Sequence, residues 1–467
     1  MDSSALTWAH EELKTASLGD ARRTARAVSV LAQRASAPNA SLAQAAGTDA
    51  DTEAAYRFYD NDDVAPEAIL AAHQRRTQER LREASLPVIL AVQDTTEGDY
   101  HHHPEIAGIG VINSEHRYGV LMHTTLAVTP QRVPLGLLDQ QVWTRPAETL
   151  GKKPHHNTRP IRDKESKKWL ISLAVTAKVQ ARLPNTKIVS VGDREADIYD
   201  LFLLAQTLHQ DVLVRGAWDR RVAHPEGHLW AHLEACPVAG TVTITTPRQE
   251  DTPSRTATLT VRCTAVTLRP PKKRAPEHLP NISVWAILAQ EEGAPPGVTP
   301  IEWLLLTTVP TATFAQACQR IEWYGCRWVA EMYHKVLKSG CRIERRQFDD
   351  LDNLRRYLAI DSLVAWWVLY LTMMGRQSPN IPCTDIFDAM EWQALYGFTH
   401  KTAEMPTTVP TLGDVILWIA KLGGYTDRRK NAHPGTIVMW RGLSRLYDIA
   451  NAWRVSSMLF ANKSDDC

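Results

Sequence analysis

The stretch Pro87–Thr96 reads PVILAVQDTT, and its apolar part, Val88 to Val92, is continuous, as in a strand buried on both faces. Asp94 sits just past that run, followed by Thr95 and Thr96. A second stretch, TKIVSVGDREADIYDLF from Thr186, repeats the arrangement: a short apolar run, Ile188 to Val191, ends at Asp193, and Arg194 to Leu203 read as a helix. Ligands of open α/β sheets bind beyond strand ends, so two strands each delivering an aspartate predict an α/β core with an acidic site at one sheet edge.

A third carboxylate comes from YGCRWVAEMYHKVLK, Tyr324 to Lys338. At about 100° per residue, Tyr324, Arg327, Glu331 and Lys338 fall within an arc of roughly 60° on one helical face, beside His334 and Lys335. Trp328, Val329, Met332 and Val336 take the neighbouring arc, so the segment predicts an amphipathic helix that presents its polar side. Fixed cations around a carboxylate suit a metal ion bound next to a phosphate.

Asp94, Asp193 and Glu331 together make an oxygen ligand set for Mg2+, with Mn2+ as a substitute. Two such ions about 3.5 to 4 Å apart support in-line displacement at phosphorus, the chemistry of nucleases and strand transfer. Taken singly, each aspartate also reads as a turn former or helix cap, and the charged helix face as a solvated one.

These motifs resemble the insertion-sequence-four family of bacterial DDE transposases. The resemblance rests on QDTT at Asp94, GDREADI at Asp193, the Tyr324 to Lys338 segment and EWLLLT around Trp303, with LGDARRTAR and AAYRF before them and LGGY after. It spans almost the whole chain in order. It implies a ribonuclease-H-like core, a mixed sheet with helices on both faces, carrying a β-rich insertion and flanked by helical N- and C-terminal domains. It further implies cut-and-paste transposition with Asp94, Asp193 and Glu331 catalytic, Asp94 bridging two metal ions and each of the others completing one. A hairpin intermediate, insertion into target DNA and a homodimer pairing two transposon ends belong to the same expectation. By the same resemblance Tyr324, Arg327, Lys338 and Arg215 grip the DNA backbone, and Trp303 stacks on a flipped base.

Three segments follow. Residues 1–68 are helical in pattern; DARRTARAVSVLAQRA has a basic side that reads as a DNA contact through Arg22, Arg23 and Arg26 or as the outer face of a helical packing domain, and the resemblance gives this segment transposon-end recognition. Residues 69–376 alternate strand and helix, with a β-patterned insertion at about 228–310. Residues 377–467 give helices with apolar faces, Trp418, Ile419 and Leu422 in one and Trp440, Leu443, Leu446, Tyr447 and Ala450 in another; those faces pack on the catalytic part or, by resemblance, serve dimerisation.

Composition bounds the reading. A chain of 467 residues exceeds one hydrophobic core, and 44% hydrophobic with 22% charged residues is an ordinary globular balance. The longest apolar stretch, Ser362 to Met374, is short for a membrane span, and MDSSALTWAHEELK lacks an export pattern, so a cytoplasmic protein is expected. Seven scattered cysteines without CxxC spacing read as reduced thiols. His101 to His103, with His155 and His156, read as loop residues rather than metal ligands.

Net charge is only +1, so DNA binding must rest on local basic clusters. These are Arg22, Arg23 and Arg26; the run from Lys152 to Lys168; and Arg342, Arg345 and Arg346; Lys272 to Arg274 read as solvated loop. Two readings stay open beside transposition: a non-catalytic DNA-binding inhibitor from a degenerate element, and a ribonuclease-H-like nuclease. Glu97 and Asp99 add acidity near Asp94, and Gly325 with Cys326 leaves the start of the Glu331 helix open.

Overall fold

A computed structural model describes residues 4–113, 117–146, 160–246, 255–426 and 433–464. Lys152, Lys153, His155, His156 and Arg159 lie outside the described residues. The N-terminal segment forms α1 (Ser4–Leu13), α2 (Ala21–Ser36), α3 (Leu42–Ala46), α4 (Asp49–Tyr59) and α5 (Pro66–Ala84). Side-chain caps start three of these helices: Asp20 accepts from Arg22 N, Ser41 from Gln44 N, and Thr48 from Asp51 N.

The meander β1 (Val88–Asp99), β2 (Gly110–Val111), β3 (Tyr118–Val128) and β4 (Pro134–Trp143) comes next. Then come α6 (Lys167–Gln180), β5 (Lys187–Gly192), α7 (Tyr199–Leu208), β6 (Asp211–Arg215) and α8 (Leu229–Ala235). The insertion contributes β7 (Gly240–Thr246), β8 (Arg255–Leu268), β9 (Ile282–Glu291) and β10 (Glu302–Thr307). Helices complete the chain: α9 (Phe314–Gly325), α10 (Trp328–Lys335), α11 (Leu351–Gln377), α12 (Ala389–His400), α13 (Leu412–Leu422) and α14 (Thr436–Ser464).

All ten strands join one mixed sheet in the order β2-β3-β1-β5-β6-β10-β9-β8-β7, with β4 also on β3. β1, β5 and β6 pair in parallel, and the remaining pairs are antiparallel. The insertion therefore extends the core sheet, because β10 pairs with β6 through Leu305↔Arg215 and Thr307↔Leu213.

Alternation sorts the strand side chains into two faces. Leu90 and Val92 of β1, Val189 and Val191 of β5, Leu213 of β6 and Leu305 of β10 pack into one core with α10, α11 and the terminal helices. Ile89, Ala91 and Ile188 join a cluster with Val179 and Leu183 around α6. Val212, Val214, Leu304 and Leu306 join another with Trp169 of α6, Phe202 of α7 and Leu229 of α8.

α11 is the central strut. Its 27 residues are long and apolar enough to cross a membrane, more than the apolar stretch in the sequence suggested, yet 83% of its most apolar window is buried inside the protein. That burial reflects packing against α2, α5, β4, α13 and α14. The apolar faces of α13 and α14 are covered within the chain: Ile419, Trp440, Leu443, Leu446 and Tyr447 all lie in the α11 core. Glycine makes their close crossing possible, since a Cβ on Gly423 would meet Val438 O at 1.8 Å and one on Gly442 would meet Ile419 O at 1.9 Å.

A buried ion pair fixes α2 to this strut. Arg34 Nε and Nη2 donate to the two Asp361 carboxylate oxygens at 3.0 Å each, and the remaining Arg34 donors reach Pro38 O, Ala40 O and Tyr357 Oη. Arg34 is 1% exposed, so removing it leaves Asp361 as an uncompensated interior charge. Arg34→Met should lower the unfolding free energy by about 3 to 5 kcal/mol, and Arg34→Met with Asp361→Leu should recover most of that loss. Urea unfolding of the three proteins checks it; equal losses in the single and double variants would contradict it.

Candidate functional site

The site is a row across the sheet. Val92 pairs with Val191 and Val191 with Leu213, so Asp94, Asp193 and Arg215, each two residues further along, come at the same level of three neighbouring parallel segments. They share parity with Leu90, Val189 and Leu213, which directs all three toward the face that α10 covers. On β10, Trp303 has the parity of Leu305 and packs partly buried against the same core.

β1 is longer than its apolar run suggested. It continues to Asp99, so Asp94 lies within the strand, paired with Thr124 of β3, rather than just past its end. Asp193 does follow the end of β5, in extended conformation, and its side chain accepts from Glu195 N at 2.8 Å to start a single 3-10 turn, Arg194–Ala196. A Cβ on Gly192 would meet Ala196 Cβ at 2.5 Å, so the residue before Asp193 must be glycine for that turn to fold back. The helix expected from Arg194 begins instead at Tyr199. Asp197 breaks it, because its buried carboxylate is spent on Ala217 N, Trp218 N and Arg220.

The Tyr324 to Lys338 segment is not one regular helix. α9 ends at Gly325, and Cys326, Arg327, Val329 and Ala330 each bond to the carbonyl three residues back, a tight turn between α9 and α10. Beyond α10, Val336–Gly340 is a π-turn closed by Cys341 N to Val336 O at 2.9 Å. The wide turn lets Val336, Leu337, Gly340 and Cys341 all reach the core. Lys338, within that turn, pairs with Glu344 at 3.0 Å.

Glu331 stays on the shared face beside Asp94, with Arg327 between them: Arg327 Nη1 is 3.6 Å from Asp94 Oδ1, and Nη2 donates to Glu331 Oε1. His334, one turn on, places Nδ1 3.5 Å from Asp94 Oδ2 and Nε2 3.3 Å from Thr124 Oγ1. Burial pushes the Asp94 carboxyl up, but the His334 hydrogen bond, its charge and Arg327 outweigh burial and hold it below its ordinary value. Burial raises Asp193, and the negative Asp94 adds to the rise. Glu331 is raised for the same two reasons, against the pull of Arg327.

Asp94 thus lies close enough to both Asp193 and Glu331 for its charge to oppose theirs. Among the described residues, however, no group of three His, Cys, Asp or Glu side chains is placed so that it could hold a metal ion. The donor set is nevertheless all oxygen and excess negative, which fits a hard divalent cation.

The other expected residues are distributed around this centre. Tyr324 is buried, its hydroxyl beside Arg327, and its ring meets Trp303 edge-on at 5.4 Å between centroids. Arg215 Nη2 donates to Glu302 O at 3.0 Å. On α2, far from this row in sequence, Arg23 pairs with Asp63 and Arg26 with Asp51 at 3.4 Å, while Arg22 projects outward with Asp20 3.7 Å away. Asp99 pairs with Arg117, and Arg274, read as solvated loop, is held by Asp200 and Glu277.

The sequence reading assigned no role to His334, which links the Glu331 helix to both β1 and β3; its spacing three residues after Glu331 was the available signal. It also passed over Trp218, whose exposure no periodicity reveals.

Residues 5–64 match the family model described as Transposase DNA-binding. Residues 363–458 match the one described as Transposase Tn5 dimerisation domain. Together the two matches indicate a Tn5-type transposase. The chain is a DNA transposase, and the two matched segments flank the stretch that carries Asp94, Asp193 and Glu331. In this transposase the two raised carboxyls, Asp193 and Glu331, cost stability. A carboxyl whose folded pKa is raised destabilises the fold once ionised, and that cost disappears as pH falls through the raised value. Asp193→Asn keeps an Ncap acceptor for Glu195 N while removing the charge next to Asp94. It should stabilise the protein by about 0.5 to 1 kcal/mol at neutral pH, with the gain shrinking on acidification. Thermal unfolding across pH checks it, and a loss of stability at neutral pH would contradict it.

Proposed function

We propose that the chain binds the terminal inverted repeats of a transposable element, cleaves the DNA there by metal-dependent phosphoryl transfer and inserts the element into target DNA. The observation that carries this reading is the row Asp94, Asp193 and Arg215 facing Glu331 and Arg327. It sets carboxylates for divalent cations against guanidinium groups for phosphate in one place.

Asp94, Asp193 and Glu331 would hold two Mg2+ ions, or Mn2+ in their place, which when bound generate the nucleophile and stabilise the leaving oxygen. Arg327 answers to both partners. Without DNA it neutralises Asp94 and Glu331, and its Nε is buried with no hydrogen-bond partner. A phosphate arriving beside it completes that donor set and draws the guanidinium from the carboxylates, leaving them to the cations. Arg215 and Tyr324 position the backbone of the same terminal nucleotides, Lys338 contacts it from the π-turn, and Trp303 receives a base turned out of the duplex. Release of the element runs through a hairpin at the same acidic row: the 3'-hydroxyl freed by the nick attacks the opposite strand and expels the 3'-oxygen of the flanking DNA, and hydrolysis of the hairpin restores the 3'-hydroxyl that insertion uses.

Arg22, extended from α2 within the segment matching a DNA-binding model, contacts the inverted repeat away from the cut, and Arg23 and Arg26 join it when DNA phosphates replace Asp63 and Asp51. A second copy of the chain docks on the segment matching a dimerisation model, where Phe398 and Val455 stay exposed beside Trp453.

A duplex carrying the element's inverted repeat should be nicked at its end in Mg2+ or Mn2+ and not after chelation. Asp94→Asn, Asp193→Asn and Glu331→Gln should each lower cleavage at least about a thousandfold while retaining DNA affinity. Binding without nicking by the unaltered protein would instead identify a DNA-binding inhibitor. Equal cutting of unrelated duplexes would identify a general nuclease.

A further inference from the structure

Beyond the end of β6 the chain makes a short rigid loop, Gly216 to Arg220, whose one large apolar side chain faces solvent. Trp218 is 65% exposed, more than the other large hydrophobic residues that the described surface presents. Its backbone is immobilised from several sides. The Asp197 carboxylate, itself 3% exposed, accepts Ala217 N at 2.8 Å, Trp218 N at 3.1 Å and Arg220 Nε at 2.7 Å. Trp218 O accepts Arg220 N at 2.9 Å, and Asp219 Oδ1 accepts Trp230 N at 3.0 Å.

A buried carboxylate with three donors around it spends much of its hydrogen-bonding capacity on shaping this loop. Yet the loop gives its indole no aromatic ring or cation to lie against among the described residues. Leaving a large ring in water on a fixed backbone forfeits the burial that normally accompanies tryptophan. A partner that covers the ring accounts for the arrangement.

The position of the loop identifies the partner's chemistry. Arg215, three residues earlier, belongs to the row with Asp94 and Asp193, and Asp197 lies four residues after Asp193. The neighbouring ends of β5 and β6 therefore present an acid of the proposed cation site and a guanidinium for phosphate, with an indole about 10 Å further along the chain from the guanidinium. Backbone phosphate beside an exposed ring matches single-stranded or frayed DNA, whose unstacked bases lie flat on aromatic side chains.

We infer that Trp218 is a second stacking platform, distinct from Trp303, for an unpaired base of the DNA whose phosphate sits at Arg215. The inference rests on the proposed function and assigns a further residue to that site. Trp303 is half-buried and edge-on to Tyr324, whereas Trp218 is free on a fixed loop, so the two rings receive different bases. Preorganisation matters here because the backbone torsions are already set, leaving two side-chain torsions to order on binding.

The test compares the full-length protein with Trp218→Ala and Trp218→Phe. The probes are the inverted-repeat duplex with a blunt end and the same duplex with its last few bases unpaired. Trp218→Ala should weaken binding to the unpaired end about tenfold more than to the blunt end, with Trp218→Phe close to the unaltered protein. Quenching of 2-aminopurine placed among the unpaired bases should fall in Trp218→Ala and persist in Trp218→Phe. Unchanged thermal unfolding of both variants excludes a folding defect.

Equal affinity of Trp218→Ala and the unaltered protein for the unpaired end overturns the inference and leaves the proposed function standing. So does an equal loss on both probes, or a loss of self-association without DNA, which would make the ring a protein contact. If the unaltered protein neither binds nor cuts either duplex, the proposed function fails and the inference falls with it.

Discussion

The parallel registers of β1, β5 and β6 are the constraint on which the site depends. Each strand advances a side chain on one face every second residue, so pairing Val92 with Val191 and Val191 with Leu213 fixes where Asp94, Asp193 and Arg215 stand relative to one another. A slip of one residue in either pairing would turn an apolar set out of its core and an acid into the opposite helix layer. The hydrophobic alternation that stabilises the sheet and the alignment of the polar row are thus enforced by the same burial.

The row is electrostatically unsatisfied by itself. Asp94 is held charged by His334 and Arg327, and its charge makes ionisation harder for Asp193 and Glu331. Arg327 reaches two carboxylates at once yet leaves Nε without a partner. An arrangement with surplus negative charge and an underused guanidinium favours incoming cations and phosphate together over either one alone. The tight turn before α10 and the π-turn after it belong to the same account: the first sets Arg327 at the helix start, and the second lets four residues reach the core while Lys338 pairs with Glu344.

Around this centre the chain ties distant segments to α11. Arg34 from α2 shares Asp361 within the protein interior, and α13 and α14 cross at backbone contact through Gly423 and Gly442. Because these faces are covered from within, the surface left for a second copy is smaller than the apolar pattern of the C-terminal helices suggested. The residues still exposed there, Phe398 and Val455 among them, follow no periodic pattern.

Much of the fold and the acidic trio was legible in the sequence, because each rests on local periodicity. Val88 to Val92 and Ile188 to Val191 are apolar strands wherever they are placed, each with an aspartate at a fixed offset, and the motifs at Asp94, Asp193 and Glu331 carried the family resemblance. The extension of β1 to Asp99 was hidden, since pairing with β3 rather than apolarity holds its second half. So was the late start of α7, because Asp197 is recruited by a loop some twenty residues on. Only tertiary structure decided which cations are spent inside the molecule: Arg23 and Arg26 look alike with Arg22 along α2, yet their acids come from other helices and turns. Only it decided that Trp303 would be half-buried and Trp218 bare, since a ring's exposure depends on which strands and helices arrive beside it, and spacing along one segment carries no record of those neighbours.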